Sequence, residues 1–220
     1  MGADVSHASP GSLQPSMAAL TVSMDALCLR YAAACETNGH RVEMITTSNM
    51  EQMLMPLFKN WMETVGQGRK PAHVIYFRDG VSEGQYQHVM QQEVRDLKRV
   101  WTALFGNDTR ALKEIKFTVI VASKRHHIRF FPQKGDSNGN PQPGTLVEKD
   151  VTHPFEYDFY LNSHSAIQGT ARPVHYHVLM DEMNMSANEL QNMIYEQCYQ
   201  YMRSTTPVSL RKLLSNAALG

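Results

Sequence analysis

Apolar positions recur along the chain with the spacing of strands in some segments and of helices in others. Apolar runs predict strands at 17–25, 30–39, 72–77, 116–131, 155–161 and 175–179, the first two forming a hairpin. Helical spacing predicts helices at about 48–65, 85–105 and 186–203. This order of elements predicts the α/β class, with a mixed sheet and helices packed on it.

Each predicted helix opens with a serine that is followed three residues later by Glu or Gln, which is the pattern of a capping box. The pairs are Ser48 and Glu51, Ser82 and Gln85, and Ser186 and Glu189. Pro56 lies inside the first helix, where a proline typically costs about 3 kcal/mol and kinks the chain. The first helix is therefore predicted from its spacing and its capping box, although Pro56 argues against it.

Length and composition narrow the class of protein. The 220 residues suffice for one domain with a sizeable core. The formal net charge is zero, so a nucleic-acid surface would have to be a local patch. Cys28, Cys35 and Cys198 lack the spacing of a metal site and favour a reduced, intracellular compartment. With no apolar run of membrane length and no signal peptide, we expect a cytoplasmic protein, the nucleus being the alternative, and no membrane partner.

Two aspartates follow apolar segments. Asp79 comes directly after the predicted strand at 72–77 and precedes Gly80, and Asp4 follows a short apolar start. Asp-Gly is also common turn chemistry, so Asp79 alone is explained equally well by a turn. If the two strands are neighbours, however, the carboxylates share an edge where Mg²⁺ or Mn²⁺ could bind, because these ions prefer hard oxygen ligands.

Four stretches carry a resemblance that covers nearly the whole chain. They are "GADVSH", "YFRDGVSEGQ", "SKRHHIRFF" and the block at 152–182 that begins "THPFEYDFYLNSHSAIQGTARP". Together, and in this order, they resemble the PIWI domain of Argonaute proteins. The resemblance implies a ribonuclease H-like mixed β-sheet with helices packed on both faces. It places a PIWI domain at 1–208, incomplete at its N-terminal strand, and a divergent tail at 209–220 in place of the family's last segment.

The resemblance also implies a catalytic site. Asp4, Glu43 and Asp79 fall on catalytic positions of the family, and Asp4 and Asp79 on its metal ligands, with Mg²⁺ or Mn²⁺ as cofactor. Glu43 would complete the site from a mobile loop; without the resemblance, a surface carboxylate in a hairpin is the default interpretation. A fourth ligand, His or Asp, should follow, but the sequence has neither after Glu182. Whether the chain is an enzyme is therefore left open, and we expect no efficient cleavage by it.

Basic and polar residues in two stretches are the candidates for holding RNA. The resemblance implies that they contact guide phosphates, which Lys and Arg neutralise well, and they are Lys124, Arg125, His127, Arg129, His164, Gln168 and Arg172. A solvated basic face is the alternative for any one of them. Alternation in a strand sends Lys124 to one side and Arg125, His127 and Arg129 to the other.

Two further histidines, His175 and His177, share one face of the predicted strand at 175–179. Such a pair can bind zinc. No further ligands are spaced nearby in the sequence, so packing and hydrogen bonding are the favoured explanation.

The expected function is small-RNA-guided gene silencing. The chain would bind a small guide RNA paired with a complementary target RNA, with silencing proteins as further partners, and its ancestral activity would be metal-dependent endoribonuclease cleavage. The alternative is a catalytically inactive PIWI fragment that binds nucleic acid or protein.

Overall fold

The computed structural model describes residues 1–201 and 204–209. Its strands are β1 (Gly2–Ser6), β2 (Met17–Ser23), β3 (Tyr31–Thr37), β4 (His73–Asp79), β5 (Lys116–Ser123), β6 (Thr145–Val147), β7 (Asp158–Asn162) and β8 (Val174–Asp181). Its α-helices are α1 (Thr47–Thr64), α2 (Tyr86–His88), α3 (Arg95–Leu104) and α4 (Ala187–Gln197). A π-helical segment, Val89–Val94, joins α2 to α3, and 3₁₀ turns lie at Glu83–Gln85 and Thr109–Lys113.

The eight strands form one mixed sheet in the order β3-β2-β1-β4-β5-β8-β7-β6. The pairs β1–β4 and β4–β5 are parallel, and the remaining pairs are antiparallel. The parallel strands β4 and β5 lie at the centre of the sheet, where apolar clusters cover both faces. This arrangement confirms the predicted α/β class and the hairpin of β2 with β3.

Two apolar clusters lie on opposite faces of the sheet. On one face α1 and α3 cover the centre, for example with Phe58 and Trp101 in edge-to-face contact at 5.5 Å. On the other face α4 packs Ile194 against Phe159 and Ile120. The alternation along β5 shows the division, since Val119 and Val121 enter the first cluster and Ile120 the second.

The helices and one strand differ in detail from those predicted from the sequence. Helix α1 is capped by Thr46, whose side chain accepts from the backbone N–H of Asn49, and not by Ser48. Pro56 is accommodated within this helix on its exposed side. The predicted helix at 85–105 is observed as consecutive helical segments that end at Leu104, and one of them is π-helical. Strand β7 begins at Asp158, three residues later than predicted.

The basic stretch after β5 is not part of a strand, contrary to the prediction of a strand to residue 131. Strand β5 ends at Ser123 because its neighbours end there: its last pairs are Ala122 with Asp79 of β4, and Ser123 with His175 of β8. Beyond this point β4 has ended and β8 extends by only one residue, Val174, so a longer β5 would find almost no partner, although apolar residues recur from Ile128 onward.

The C-terminal predictions are tested only in part. The capping box of α4 is present as predicted, with Ser186 and Glu189 exchanging hydrogen bonds, and the helix ends at Gln197. Arg203, where we expected it to end, and the segment 210–220 of the expected tail lie outside the described residues. In the described part of the chain, no helix combines the length and the apolar character needed to cross a membrane.

Candidate functional site

Asp4 and Asp79 are brought to neighbouring strands at the centre of the sheet. Strands β1 and β4 pair in parallel, with Gly2 opposite Phe77 and Ala3 opposite Arg78. One residue further along each strand stands an aspartate, so both carboxylates point to the same face of the sheet. Asp79 is 1% exposed, while Asp4 is partly buried. Asp4 does not end its strand, as the sequence suggested, because β1 continues to Ser6 along β2.

Glu43 approaches the same point from the loop that follows β3. A Cβ atom built on Gly80 would lie 3.4 Å from Glu43 Oε1 and 3.6 Å from Asp4 Oδ1. Gly80 directly follows Asp79 and has φ +90°, a backbone conformation that favours glycine. The three acidic groups named from the sequence therefore surround one tight turn.

A buried ion pair positions this loop, and sequence reasoning missed it. The Arg78 side chain is fully buried and binds Glu93, also fully buried, with Nε 3.1 and 3.0 Å from the two carboxylate oxygens. Arg78 Nη2 donates to the backbone carbonyl of Glu43 at 2.6 Å and lies 3.3 Å from its Oε1. Glu93 belongs to the π-helical segment, a feature that often occurs at functional sites.

The pKa values in this cluster follow from burial and charge. Burial alone lowers the pKa of the Arg78 guanidinium, but the Glu93 carboxylate raises it and the net pKa is above its ordinary value. Burial, and then the charge of Glu93, also raises the pKa of Tyr76, whose hydroxyl donates to Glu93 Oε2 at 2.9 Å. Arg78 is therefore a permanent positive charge beside the acidic residues.

Further hydrogen bonds fix the loop that carries Glu43. Asn38 donates from its side chain to the carbonyls of Val42 and Met44 at 3.0 and 2.9 Å. The backbone N–H of Ile45 donates to Glu93 Oε1 at 2.9 Å. The Glu43 carboxylate also pairs with His7, whose Nε2 lies 2.7 Å from Glu43 Oε2, and it accepts a hydrogen bond when this ring nitrogen carries the proton. The resemblance implied a mobile loop here; in this structure the loop is anchored at both of its ends.

The donor set of Asp4, Asp79 and Glu43 suits a hard divalent cation. All three offer carboxylate oxygens, the ligand type that Mg²⁺ and Mn²⁺ prefer. In the described part of the chain, their ligand atoms do not all lie within 4.8 Å of one another. Those of Asp158, His175 and His177, described below, do lie within this distance. Like-charged carboxylates repel, which favours such a spacing.

Three of the seven predicted RNA-binding residues converge on one small cavity. Lys124, His164 and Arg172 line it, although they come from separate segments of the chain. Asn162 also lines it, is 4% exposed, and its side-chain amide nitrogen has no hydrogen-bond partner among the described residues. Sequence reasoning missed Asn162, because an asparagine at the end of an apolar strand carries no motif of its own.

The other predicted RNA-binding residues do not line this cavity. Arg125, His127 and Gln168 are exposed. Arg129 donates to the carbonyls of His126 and Ile128 at 3.1 and 2.6 Å, so its guanidinium holds its own loop. We had predicted that side chains from Lys124 to Arg129 alternate between two sides because they lie in a strand. That premise was wrong, since β5 ends at Ser123.

A second cluster lies on β7 and β8. Asp158, His175 and His177 are all buried, and their ligand atoms lie within 4.8 Å of one another. His175 Nε2 lies 2.6 Å from Asp158 Oδ2, and His177 Nε2 lies 2.7 Å from Glu156 Oε2. Burial lowers the pKa of His177. The sequence identified the two histidines, but the carboxylate that joins them comes from the neighbouring strand, seventeen positions before His175.

Comparison with known proteins identifies the family. The family model of the Piwi domain matches residues 1–219. Protein argonaute 2 of Oryza sativa subsp. japonica is 40% identical over 216 residues, which are 96% of this chain and 20% of that protein. The chain thus spans about a fifth of that curated relative.

Solved structures agree with this assignment. The C-terminal lobe of a budding yeast Argonaute matches with a TM-score of 0.86 and 30% identity, covering 98% of this chain and 45% of that one. Kluyveromyces polysporus Argonaute with a guide RNA matches with a TM-score of 0.85 and 30% identity, covering 98% and 27%. The expected ribonuclease H-like fold is confirmed, and the chain belongs to the Piwi domain family.

Proposed function

We propose that this chain binds a guide RNA paired with its target, as the PIWI part of a protein in small-RNA-guided silencing. The observation that carries the proposal is the convergence of Lys124, His164 and Arg172 on one cavity with the buried amide of Asn162. The solved Kluyveromyces polysporus relative holds a guide RNA. Silencing proteins as partners, and the cytoplasm as location, stay predictions.

The chemistry of this cavity fits a backbone phosphate. Lys124 and Arg172 supply positive charge, and Asn162 supplies an N–H donor that gains a partner when a phosphate oxygen enters. Contacts of this kind position a strand and carry no sequence information. Base pairing between guide and target would supply the specificity, as in other guided nucleases.

Titration of a fluorescent short RNA at several salt concentrations tests this proposal. The variant Lys124→Ala with Arg172→Ala should weaken binding for every RNA sequence, and should reduce the slope of log K against log salt by about one for each phosphate that is no longer neutralised. Lys59→Ala is the matched control, since Lys59 is exposed on α1. An equal decrease of affinity in both variants, or unchanged affinity in the double variant, would contradict the assignment.

Metal-dependent cleavage is a second candidate, favoured by the grouping of Asp4, Asp79 and Glu43 around Gly80. Asp4 and Asp79 would hold Mg²⁺ or Mn²⁺, and Glu43, oriented by Arg78, would complete the site. Such an ion would supply an activated water and stabilisation of the negative charge that develops on the leaving oxygen. Incubation of a guide-paired RNA with Mg²⁺ separates the enzyme from the inactive binding fragment: cutting that Asp79→Ala abolishes would establish the enzyme and overturn our expectation of no efficient cleavage.

A further inference from the structure

We propose that Asp158, His175 and His177 form a binding site for a divalent transition-metal ion such as Zn²⁺. Strands β7 and β8 pair antiparallel, with Asp158 opposite His177 and Tyr160 opposite His175. Residues opposite each other, and residues two apart on one strand, point to the same face. The sheet thus gathers one carboxylate and two imidazoles from residues that are not adjacent in the sequence.

The type of ligand selects the metal. Two imidazole nitrogens and a carboxylate oxygen are the ligands of Zn²⁺ and related transition metals, whereas Mg²⁺ prefers an all-oxygen set. This cluster is therefore chemically distinct from Asp4, Glu43 and Asp79, which offer oxygen only. It shares no residue with that group or with the proposed RNA cavity.

The distances require only small side-chain movements. Zn²⁺ lies about 2.0–2.2 Å from its nitrogen and oxygen ligands, so the ligand atoms of a tetrahedral site lie about 3.3–3.6 Å apart. Asp158 Oδ2 and His175 Nε2 are 2.6 Å apart and must open slightly. All three ligand atoms lie within 4.8 Å of one another, so no pair exceeds the tetrahedral spacing by more than about 1.5 Å.

Surrounding groups hold the ligands in place. The backbone N–H of His153 donates to Asp158 Oδ1 at 2.8 Å, which leaves Oδ2 directed at His175. The ring of Tyr160 stacks on His175, with centroids 4.4 Å apart and planes at 12°. Tyr86 contacts the ring of His177 at 4.7 Å. Such outer groups orient metal ligands and affect affinity.

Glu156 is the candidate for a fourth ligand. Its Oε2 lies 2.7 Å from His177 Nε2, and its side chain is 55% exposed, so it can turn without disturbing the core. The cluster faces an open cleft of about 620 Å³. The three proposed ligands and Glu156 line this cleft together with Tyr86 and His153. A metal ion can therefore enter from solvent, and water can complete its coordination.

Zinc titration of the full chain tests the proposal. After removal of metals with a chelator, Zn²⁺ is added in competition with a chromophoric chelator, and Co²⁺ is added separately to record its visible absorption. We expect one Zn²⁺ per chain and a Co²⁺ spectrum of nitrogen and oxygen ligation. Asp158→Asn and His177→Gln should each weaken Zn²⁺ binding by at least about tenfold, since even outer-shell changes cost that much.

The control and the contrary outcomes separate this site from unspecific binding. His73→Gln removes an exposed histidine at the start of β4 and should leave Zn²⁺ affinity unchanged. Absence of a saturable site in the wild-type chain, or wild-type affinity in both cluster variants, would overturn the proposal and leave two hydrogen-bonded histidine–carboxylate pairs. Circular dichroism confirms that each variant is folded; if both variants unfold, the wild-type Co²⁺ spectrum decides the outcome.

Discussion

Two clusters of titratable side chains in the described part of the chain are built in opposite ways. Asp4, Asp79 and Glu43 come from two parallel strands and a distant loop, and a buried ion pair between Arg78 and Glu93 holds that loop in place. The histidine cluster on β7 and β8 comes from two directly paired antiparallel strands, and its members hydrogen-bond to their carboxylate partners.

This difference has a physical cause. Carboxylates repel one another, so a group of three needs a nearby positive charge, and Arg78 supplies one at 3.3 Å from Glu43. Imidazole and carboxylate groups attract each other. The second cluster therefore needs no additional positively charged side chain, and its ligand atoms lie closer together. An oxygen-only site therefore depends on distant parts of the fold, whereas the mixed site depends chiefly on strand register.

The largest expected effect follows from removal of Glu93. Glu93→Ala leaves the buried Arg78 guanidinium without its partner and deprives Tyr76 and the Ile45 N–H of their acceptor. Breaking a buried ion pair from one side typically costs about 3–5 kcal/mol. We expect the free energy of unfolding, measured by urea denaturation, to fall by this amount, and we expect lower Mn²⁺ affinity at the distant carboxylates.

Glu51→Ala is the control for this prediction. Glu51 pairs with Arg99 at 3.1 Å, but both side chains are about half exposed, and exposed pairs contribute only about 0–1 kcal/mol. Comparable destabilisation of the two variants would show that the Arg78–Glu93 pair does not hold the loop.

A pair of isosteric variants should separate the two clusters by metal. Asp79→Asn should lower Mn²⁺ affinity by about tenfold or more without affecting Zn²⁺, because it removes a charged oxygen ligand from the first cluster only. Asp158→Asn should do the reverse. Mn²⁺ binding is measured by the decrease of the free-ion electron paramagnetic resonance signal, and Zn²⁺ by chelator competition. If either variant weakens both ions equally, the two sites are not independent.

Much of the first cluster could be predicted from the sequence, because its motifs are local. Asp79 directly precedes the glycine of its turn, and Asp4 lies in a short apolar strand. The Arg78–Glu93 pair could not be predicted, since it depends on the π-helical segment that turns Glu93 toward the sheet. The register that places Asp4 beside Asp79 is likewise a property of the folded sheet.

The histidine cluster shows the limit more clearly. The spacing of His175 and His177 predicts a shared face, but nothing local indicates that Asp158 lies opposite His177. The end of β5 was mispredicted for a related reason. Apolar residues recur at Ile128, Phe130 and Phe131, yet the strand ends at Ser123, beside the end of β4. Pairing between strands determines both the position of Asp158 opposite His177 and the end of β5. Such pairing leaves no periodic pattern in the sequence of a single segment.

The smallest expected effect concerns the turn that the three carboxylates share. Gly80→Ala places a Cβ in a left-handed conformation at φ +90°, which costs an L-residue about 1–2 kcal/mol. The methyl group would also lie 3.4 Å from Glu43 Oε1 and 3.6 Å from Asp4 Oδ1, in ordinary contact but in the space between the two oxygens. We therefore expect a modest decrease of stability and, separately, a decrease of Mn²⁺ affinity.

Gly11→Ala separates these two consequences. Gly11 has nearly the same conformation, φ +87°, but a Cβ there would meet nothing within 4 Å. Its destabilisation in urea denaturation should match that of Gly80→Ala, while its Mn²⁺ affinity should equal that of the wild type. Neither variant should change Zn²⁺ affinity at Asp158, His175 and His177. Mn²⁺ affinity that falls equally in both variants would mean that backbone strain alone weakens the site, and that the carboxylates do not converge on Gly80 in solution.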